Sequence, residues 1–371
     1  MGRSASNAKF HVVLTYNHAE EKVSHLLHSK EKLFLSIGRL MAALGLTPTE
    51  KCLLCVFLFD KTKGKLTMRL WNHYHTPKSV DETIALLTEY AGQARIIAGG
   101  TDLLVDMRAA THPTPQEALI DITHIPELQT IETHENIFTI GAGVTHTQIV
   151  QSAGLASKAT CLVESCGVVG GPQVRNVATL GGNVAHALPA GDGTTSLVAL
   201  NAEAEIIYDG VRQWRPLIEL FQGPGKSLLN HSRDLLLRLR FHGASSRQAT
   251  AFKRIMRPQG VALPVLGCAV GITLNEALTH FEEVRVSIAP IGPVPARAGD
   301  VEALFVDQPV DAETISTIAQ EAQTLLHPRT SKYRATADYR KEMISVLLRR
   351  TLNLAVTRAK TGTAEPEGVG V

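Results

Sequence analysis

The chain reads as an α+β protein, with separate helical and antiparallel-sheet segments. Three observations predict this. A capped helix leads through a short apolar strand into a glycine loop near residues 79–104. An alternating pair of segments around Asp209-Gly210 has the signature of an antiparallel hairpin. Beyond Ser245, two strand-like segments precede two amphipathic helices.

The elements follow in order. Ser79-Val80-Asp81-Glu82 is a capping box, Ser79 accepting from the Glu82 amide and Glu82 reaching back to the Ser79 amide. It opens a helix through Ile84, Leu87 and Tyr90 that Gly92 ends, and Arg95–Ala98 is the strand behind it. A strand at Ile137–Gly141 precedes Thr145-His146-Thr147, a cap for a helix over about Gln148–Ser152. Glu205–Tyr208 and Val211–Trp214 flank the Asp209-Gly210 turn, and Gly223-Pro224-Gly225 marks a flexible loop near the end of the first domain. Leu263–Leu274 and Glu283–Ala289 read as strands, Ala312–Leu326 and Thr336–Lys360 as helices. On the last helix Tyr339, Met343, Leu347 and Leu354 are expected to face the core, and Arg340, Lys341, Arg349 and Arg350 to lie on other faces.

Composition narrows the class. The 371 residues are 44% hydrophobic and 19% charged, enough for two or three globular domains. A net charge of +2, with no basic run interleaved with aromatics, gives no case for nucleic-acid binding. The longest strongly apolar run, Leu53 to Phe59, falls far short of the roughly 20 residues that span a bilayer. No secretory signal is read, and five cysteines, an odd count, suit reduced thiols in the cytoplasm. Cys52 and Cys55 form a CxxC without a second pair, so buried thiols are expected there rather than a zinc or iron–sulfur site.

Two glycine-bearing segments carry the chemistry: Ile96-Ile97-Ala98-Gly99-Gly100-Thr101-Asp102-Leu103 and Thr179-Leu180-Gly181-Gly182-Asn183, the latter running on to Asp192. Glycine lets backbone approach an anion closely, and successive amides form an anion-binding concavity. Neither segment is a GxGxxG or P-loop fingerprint. Either alone reads as a turn, but the pair suits a long ligand such as a dinucleotide gripped at two places. Asp192 would repel phosphate and instead suits sugar or ribityl hydroxyls.

The string Ala98–Leu104, followed by Met107-Arg108, resembles the first FAD loop of the flavoprotein (medium) subunits of molybdenum hydroxylases, the xanthine dehydrogenase and carbon monoxide dehydrogenase type. Gly171–Asn183 resembles their second loop, with Pro189 and Asp192 in register. The likeness continues through Gly223-Pro224-Gly225-Lys226, Lys253 with Arg257, and Ser331-Lys332-Tyr333-Arg334 to Tyr339-Arg340, so it covers about residues 68–358. It implies a two-subdomain FAD-binding domain of the PCMH type over residues 68–243, then a smaller α+β domain with antiparallel sheet and helices over 244–360. Residues 1–67 lie outside the likeness and are expected to be a poorly packed extension or a misassigned start before Met68; residues 361–371 are expected to be a disordered tail.

The resemblance also implies roles. Ile96, Ile97, Ala98, Gly99, Gly100, Thr101, Asp102 and Leu103 would wrap the FAD pyrophosphate; Thr179, Leu180, Gly181, Gly182 and Asn183 would complete the cradle. Val169 would pack near the cofactor, Ala185 under the flavin, and Asp192 on the ribityl or ribose hydroxyls. Lys253 would stand close to the flavin, where a cation stabilises the reduced ring. The hard chemistry would be the cofactor's, which fits the lack of any catalytic motif; His186, inside the second loop, reads as a packing or solvent-facing residue. Partners would be a large molybdopterin-binding subunit and a small [2Fe–2S] subunit, with NAD or another carrier as acceptor. The sequence departs from many relatives after Arg257, where Pro258 to Leu263 supply no acidic residue. Two other readings stay open: a self-sufficient FAD-dependent oxidase or reductase of the same fold, with Cys161 or Cys166 proposed for covalent linkage, and a nucleotide-binding module with no redox role.

Overall fold

Among the described residues, three larger sheets, a two-stranded ladder and the helices between them build the fold, and each larger sheet supplies residues to one cavity. The computed structural model describes residues 70–109, 116–257, 263–332 and 334–369. The expectations for residues 1–67 and for Cys52 and Cys55 lie outside the described residues.

The first sheet is parallel, in the order β1 (Trp71–His75), β3 (Gln116–Asp121), β2 (Ala94–Ile97). Helix α1 (Val80–Glu89) covers it. The Ser79 hydroxyl accepts from the Glu82 amide at 3.1 Å as expected, but the Glu82 carboxylate accepts from the amide of Lys78, at 2.7 Å, one residue before the cap. The helix buries Val80, Thr83 and Leu87. Burying one such aliphatic side chain contributes about 1.5–3 kcal/mol.

The second sheet is antiparallel, in the order β4 (Ile131–His134), β5 (Ile137–Gly141), β10 (Leu235–His242), β6 (Glu203–Tyr208), β7 (Val211–Pro216). The β6–β7 hairpin turns through Asp209 at φ 49° and Gly210 at φ 77°, the two positive values a type I′ turn requires. The central strand β10 went unread because Leu235-Leu236-Leu237 is a continuous apolar run, which periodicity alone does not assign. Gly223-Pro224-Gly225 is the turn of a small ladder, β8 (Phe221–Gly223) with β9 (Lys226–Ser227). The Gly225 amide ties that turn to the Ala187 carbonyl at 3.0 Å.

The third sheet runs β11 (Gln248–Met256), β12 (Pro264–Leu274), β13 (Phe281–Ala289), all antiparallel. Both faces are buried. Cys268 and Val270 point into a core shared with the long helix Ala337–Thr361, whereas Phe252 and Ala269 point to the core built on helices Thr160–Gly167 and Asp192–Ala199. The long helix turns Ile344, Leu347, Leu348, Leu352 and Ala355 inward. Two expectations for it are corrected: Tyr339 is 43% exposed and Arg340 is buried.

Residues 362–369 dock along the chain, where a buried charge pair gives them something to bind. Arg358 and Glu164 are 4% and 1% exposed and pair at 2.6 Å. The Glu367 amide donates to the same Glu164 carboxylate at 2.9 Å, and Val369 packs against Gly167. No helix among the described residues is long and apolar enough to cross a membrane.

Candidate functional site

The two glycine segments, some 80 positions apart in sequence, meet in space. Strand β2 delivers the first loop beyond Ile97, and Gly100 turns it at φ 66°, a region that favours glycine. Gly99 lies directly against the second segment: a Cβ built there would stand 2.1 Å from the Val177 carbonyl oxygen. The second loop is fixed from behind. Thr145 and Thr179 form an isolated antiparallel bridge, and the Leu180 and Gly181 amides donate to the carbonyls of Val144 and Ala142. The Thr179 hydroxyl caps the short helix Leu180–Ala185 by accepting from the Gly182 amide at 3.0 Å.

Between the loops lies a cavity of about 480 Å³. Of the residues assigned to the cofactor from sequence, Ile96, Ile97, Ala98, Gly99, Gly100, Thr101, Asp102, Leu103, Val169, Thr179, Gly181, Gly182, Asn183, Ala185 and Asp192 line it. Leu180 does not; it is fully buried beneath the loop. Lys253 does not either, and its ammonium pairs with Glu367 of the tail. Its neighbour Arg254 reaches the cavity instead. Consecutive strand residues face opposite sides, so only one of the two can.

The loops offer different donors. Among the described residues, the amides of Gly99 to Leu103 donate to no protein acceptor, whereas those of Leu180 to Asn183 are all taken. The free anion-binding N–H groups are therefore on the first loop. The second loop presents small residues and the Asn183 carboxamide, whose Oδ1 accepts from the Thr194 amide and hydroxyl at 3.1 and 2.9 Å. This set fits FAD: amides for a diphosphate, an apolar wall of Ile96, Val169 and Ala185, and the Asp192 carboxylate on a different segment from the free amides.

Asp192 is buried and pairs with Arg254 at 2.6 Å, while another Arg254 guanidinium nitrogen donates to the Val168 carbonyl. Burial outweighs the guanidinium's attraction and pushes the Asp192 carboxyl up to about 6. Its folded value thus lies above its unfolded one, near 3.8. The stability this group contributes is fully present below about pH 4 and is lost as pH rises through about 6. Asp192→Asn is expected to flatten that part of the stability–pH curve, measured by urea unfolding of the cofactor-free chain between pH 4 and 7. An unchanged slope would refute this.

The cavity residues that sequence reasoning did not assign to the site include His146, His231, Arg254 and Arg334. His146 is 1% exposed, and burial first, then Arg175, lower its pKa to about 4, so it is a neutral ring at pH 7. Its Nδ1 has no partner among the described residues. The one available signal was its place beside the Thr145 cap. His186 lines the cavity, its Nε2 3.9 Å from the Asp102 carboxylate.

Comparison with known proteins identifies the family. Residues 66–241 match the FAD binding domain in molybdopterin dehydrogenase, and residues 250–355 match the CO dehydrogenase flavoprotein C-terminal domain. The chain is 27% identical over 289 residues to the xanthine dehydrogenase FAD-binding subunit of Escherichia coli O157:H7, covering 77% of this chain and 96% of that one. It is 27% identical over 285 residues to the carbon monoxide dehydrogenase medium chain of Hydrogenophaga pseudoflava, covering 77% and 97%. A solved structure of carbon monoxide dehydrogenase from the same organism superposes with a TM-score of 0.71 at 28% identity, over 77% of this chain and 97% of that chain. The two family matches occupy successive stretches of the described fold, and the first contains both glycine loops. The chain belongs to the FAD-binding medium subunits of the xanthine dehydrogenase and carbon monoxide dehydrogenase family, and is an oxidoreductase subunit.

Proposed function

We propose that this chain is the electron-transfer subunit of a molybdopterin-dependent dehydrogenase or hydroxylase of the cytoplasm. It would work beside a large molybdopterin-binding subunit and a small [2Fe–2S] subunit. When bound, FAD supplies the redox chemistry, taking electrons from the clusters and passing them to an acceptor such as NAD. The chain's own residues bind and orient. The amides of Gly99 to Leu103 meet the diphosphate charge, and Gly182 lets the cofactor approach the second loop, which Gly181 packs against Ala142. Asn183 is held by Thr194 in one orientation, and Asp192, anchored by Arg254, faces the ribityl or ribose hydroxyls. Val169 and Ala185 supply the apolar surface for the ring, and Ile96, Ile97, Ala98 and Thr179 shape the pocket, with Leu180 buried beneath the second loop. The observation that carries this reading is the convergence of both loops on one cavity whose unused amides lie on one side.

The covalent-flavin alternative has less support. Cys161 and Cys166 are fully buried, do not line the cavity, and burial pushes the Cys161 thiol up to about 12. Reconstitution with FAD followed by gel filtration is expected to leave the chain carrying an equimolar flavin band, and denaturation to release all of it. Absence of the band would sink the flavoprotein reading, and flavin retained on the denatured chain would favour the alternative. Rapid-mixing reduction by NADH tests the acceptor separately.

A further inference from the structure

A second cavity, of about 350 Å³, adjoins the first and shares Leu188, Ala190 and Arg334 with its wall. Its chemistry is different. Arg329, Arg334 and Arg340 line it together with Thr330 and Ser331, and no carboxylate is among the described lining residues.

Arg340 is the informative member. It lies in the first turn of the long helix and is 3% exposed. Its Nη1 donates to the Arg329 carbonyl at 2.8 Å, but Nε and Nη2 are buried with no partner among the described residues. Arg334 spends one nitrogen on the Pro264 carbonyl at 3.1 Å. Burying a guanidinium with two unmet donors beside two like charges is costly unless an anion joins them. The free amides of the cofactor grip lie on the first loop, Gly99 to Leu103, and Arg329 and Arg340 are not among the described residues lining the first cavity.

We propose that this second cavity is an oxyanion site, separate from the cofactor loops, that takes the phosphate group of a small molecule. Arg340 is the buried anchor, offering the planar fork that suits phosphate oxygens. Arg329 is the exposed jaw that meets the ligand from solvent. The Thr330 hydroxyl accepts from the Ala337 amide at 3.0 Å, which leaves its own hydrogen to donate. Two sources carry this chemistry: free inorganic phosphate, and the phosphates of a nucleotide entering beside the flavin cavity.

Calorimetry on the full-length, FAD-loaded chain with inorganic phosphate and pyrophosphate tests the site. One binding event per chain is expected, weakened about tenfold or more by Arg329→Ala and lost in Arg340→Gln, with flavin content unchanged in both. Arg329 is exposed, so its variant keeps the test valid if Arg340→Gln fails to fold. Competition by NAD⁺ assigns the anion to a dinucleotide; phosphate binding without that competition assigns it to the free ion. The proposal is overturned if phosphate gives no binding heat, if Arg329→Ala binds as wild type does, or if phosphate displaces FAD. It is equally overturned if phosphate fails to bind while Arg329→Asp abolishes assembly with the partner subunits, which would make the arginines a protein interface.

Discussion

Gly99→Ala is expected to leave the chain with little or no bound flavin and to destabilise it by about 1–3 kcal/mol, the usual cost of overpacking a filled site. The added methyl would stand 2.1 Å from the Val177 oxygen and 2.6 Å from its carbonyl carbon, both backbone atoms that have no rotamer to yield. The loops would have to separate, and their contact is what forms the cavity. Gly181→Ala should act alike from the other side, since its Cβ would fall 2.4 Å from the Ala142 oxygen and 2.5 Å from the Ala142 Cβ. Gly182→Ala is the control. Its nearest neighbour is the Thr179 hydroxyl at 3.0 Å, and Gly182 is exposed within a helix, where alanine is the better helix former. Stability should therefore change little, and any flavin loss there would report direct crowding of the ligand. Flavin-to-protein absorbance ratios and melting curves of the three variants decide the matter. A Gly99→Ala chain with wild-type flavin content would show that the loops do not form the site together.

Glu164→Ala is expected to cost about 3–5 kcal/mol, the range seen when one partner of a buried ion pair is removed. Glu164 is a hub. Its carboxylate takes two Arg358 nitrogens, at 2.6 and 3.3 Å, the Phe252 amide at 2.7 Å and the Glu367 amide at 2.9 Å. These join four segments: the helix Thr160–Gly167, strand β11, the long C-terminal helix and the tail. Truncation leaves Arg358 charged and buried, and two amides without an acceptor. The double variant Glu164→Met with Arg358→Met should recover part of the loss by removing the stranded charge. Recovery stays partial because the amides remain unpaired. Urea midpoints for the single and double variants measure both steps. A single variant within 1 kcal/mol of wild type would remove Glu164 from this role, since the buried-pair cost starts near 3 kcal/mol.

Local signals were read well because their physics is local. A Ser79 cap, a Thr145 cap and the Asp209-Gly210 turn each depend on residues within four positions. Long-range pairing left weaker marks. Strand β10 sits at the centre of its sheet, yet its leucine run carries no period, and β11 was unread although it supplies Arg254. Lys253 and Arg254 show the limit sharply. Both faces of β11 are covered, so alternation along the strand separates the two residues without telling which face meets the cavity. Arg340 was placed on an outer face by helical spacing, and only the turn carrying Arg329 buries it.

The sequence by itself determined the α+β class and the two glycine loops, and the family resemblance carried by the residues around them implied FAD. The loops answer steric demands that single residues satisfy: no side chain at Gly99 and Gly181, and φ 66° at Gly100. The tertiary structure decided which loop keeps its amides free, which cation joins Asp192 and why the tail is held. Each of these depends on competition among distant groups for the same hydrogen bond or charge. The Ala142 and Val144 carbonyls claim the second loop's amides, and Glu164 claims the tail. A linear sequence names those competitors, and the winner is fixed only when folding sets their distances.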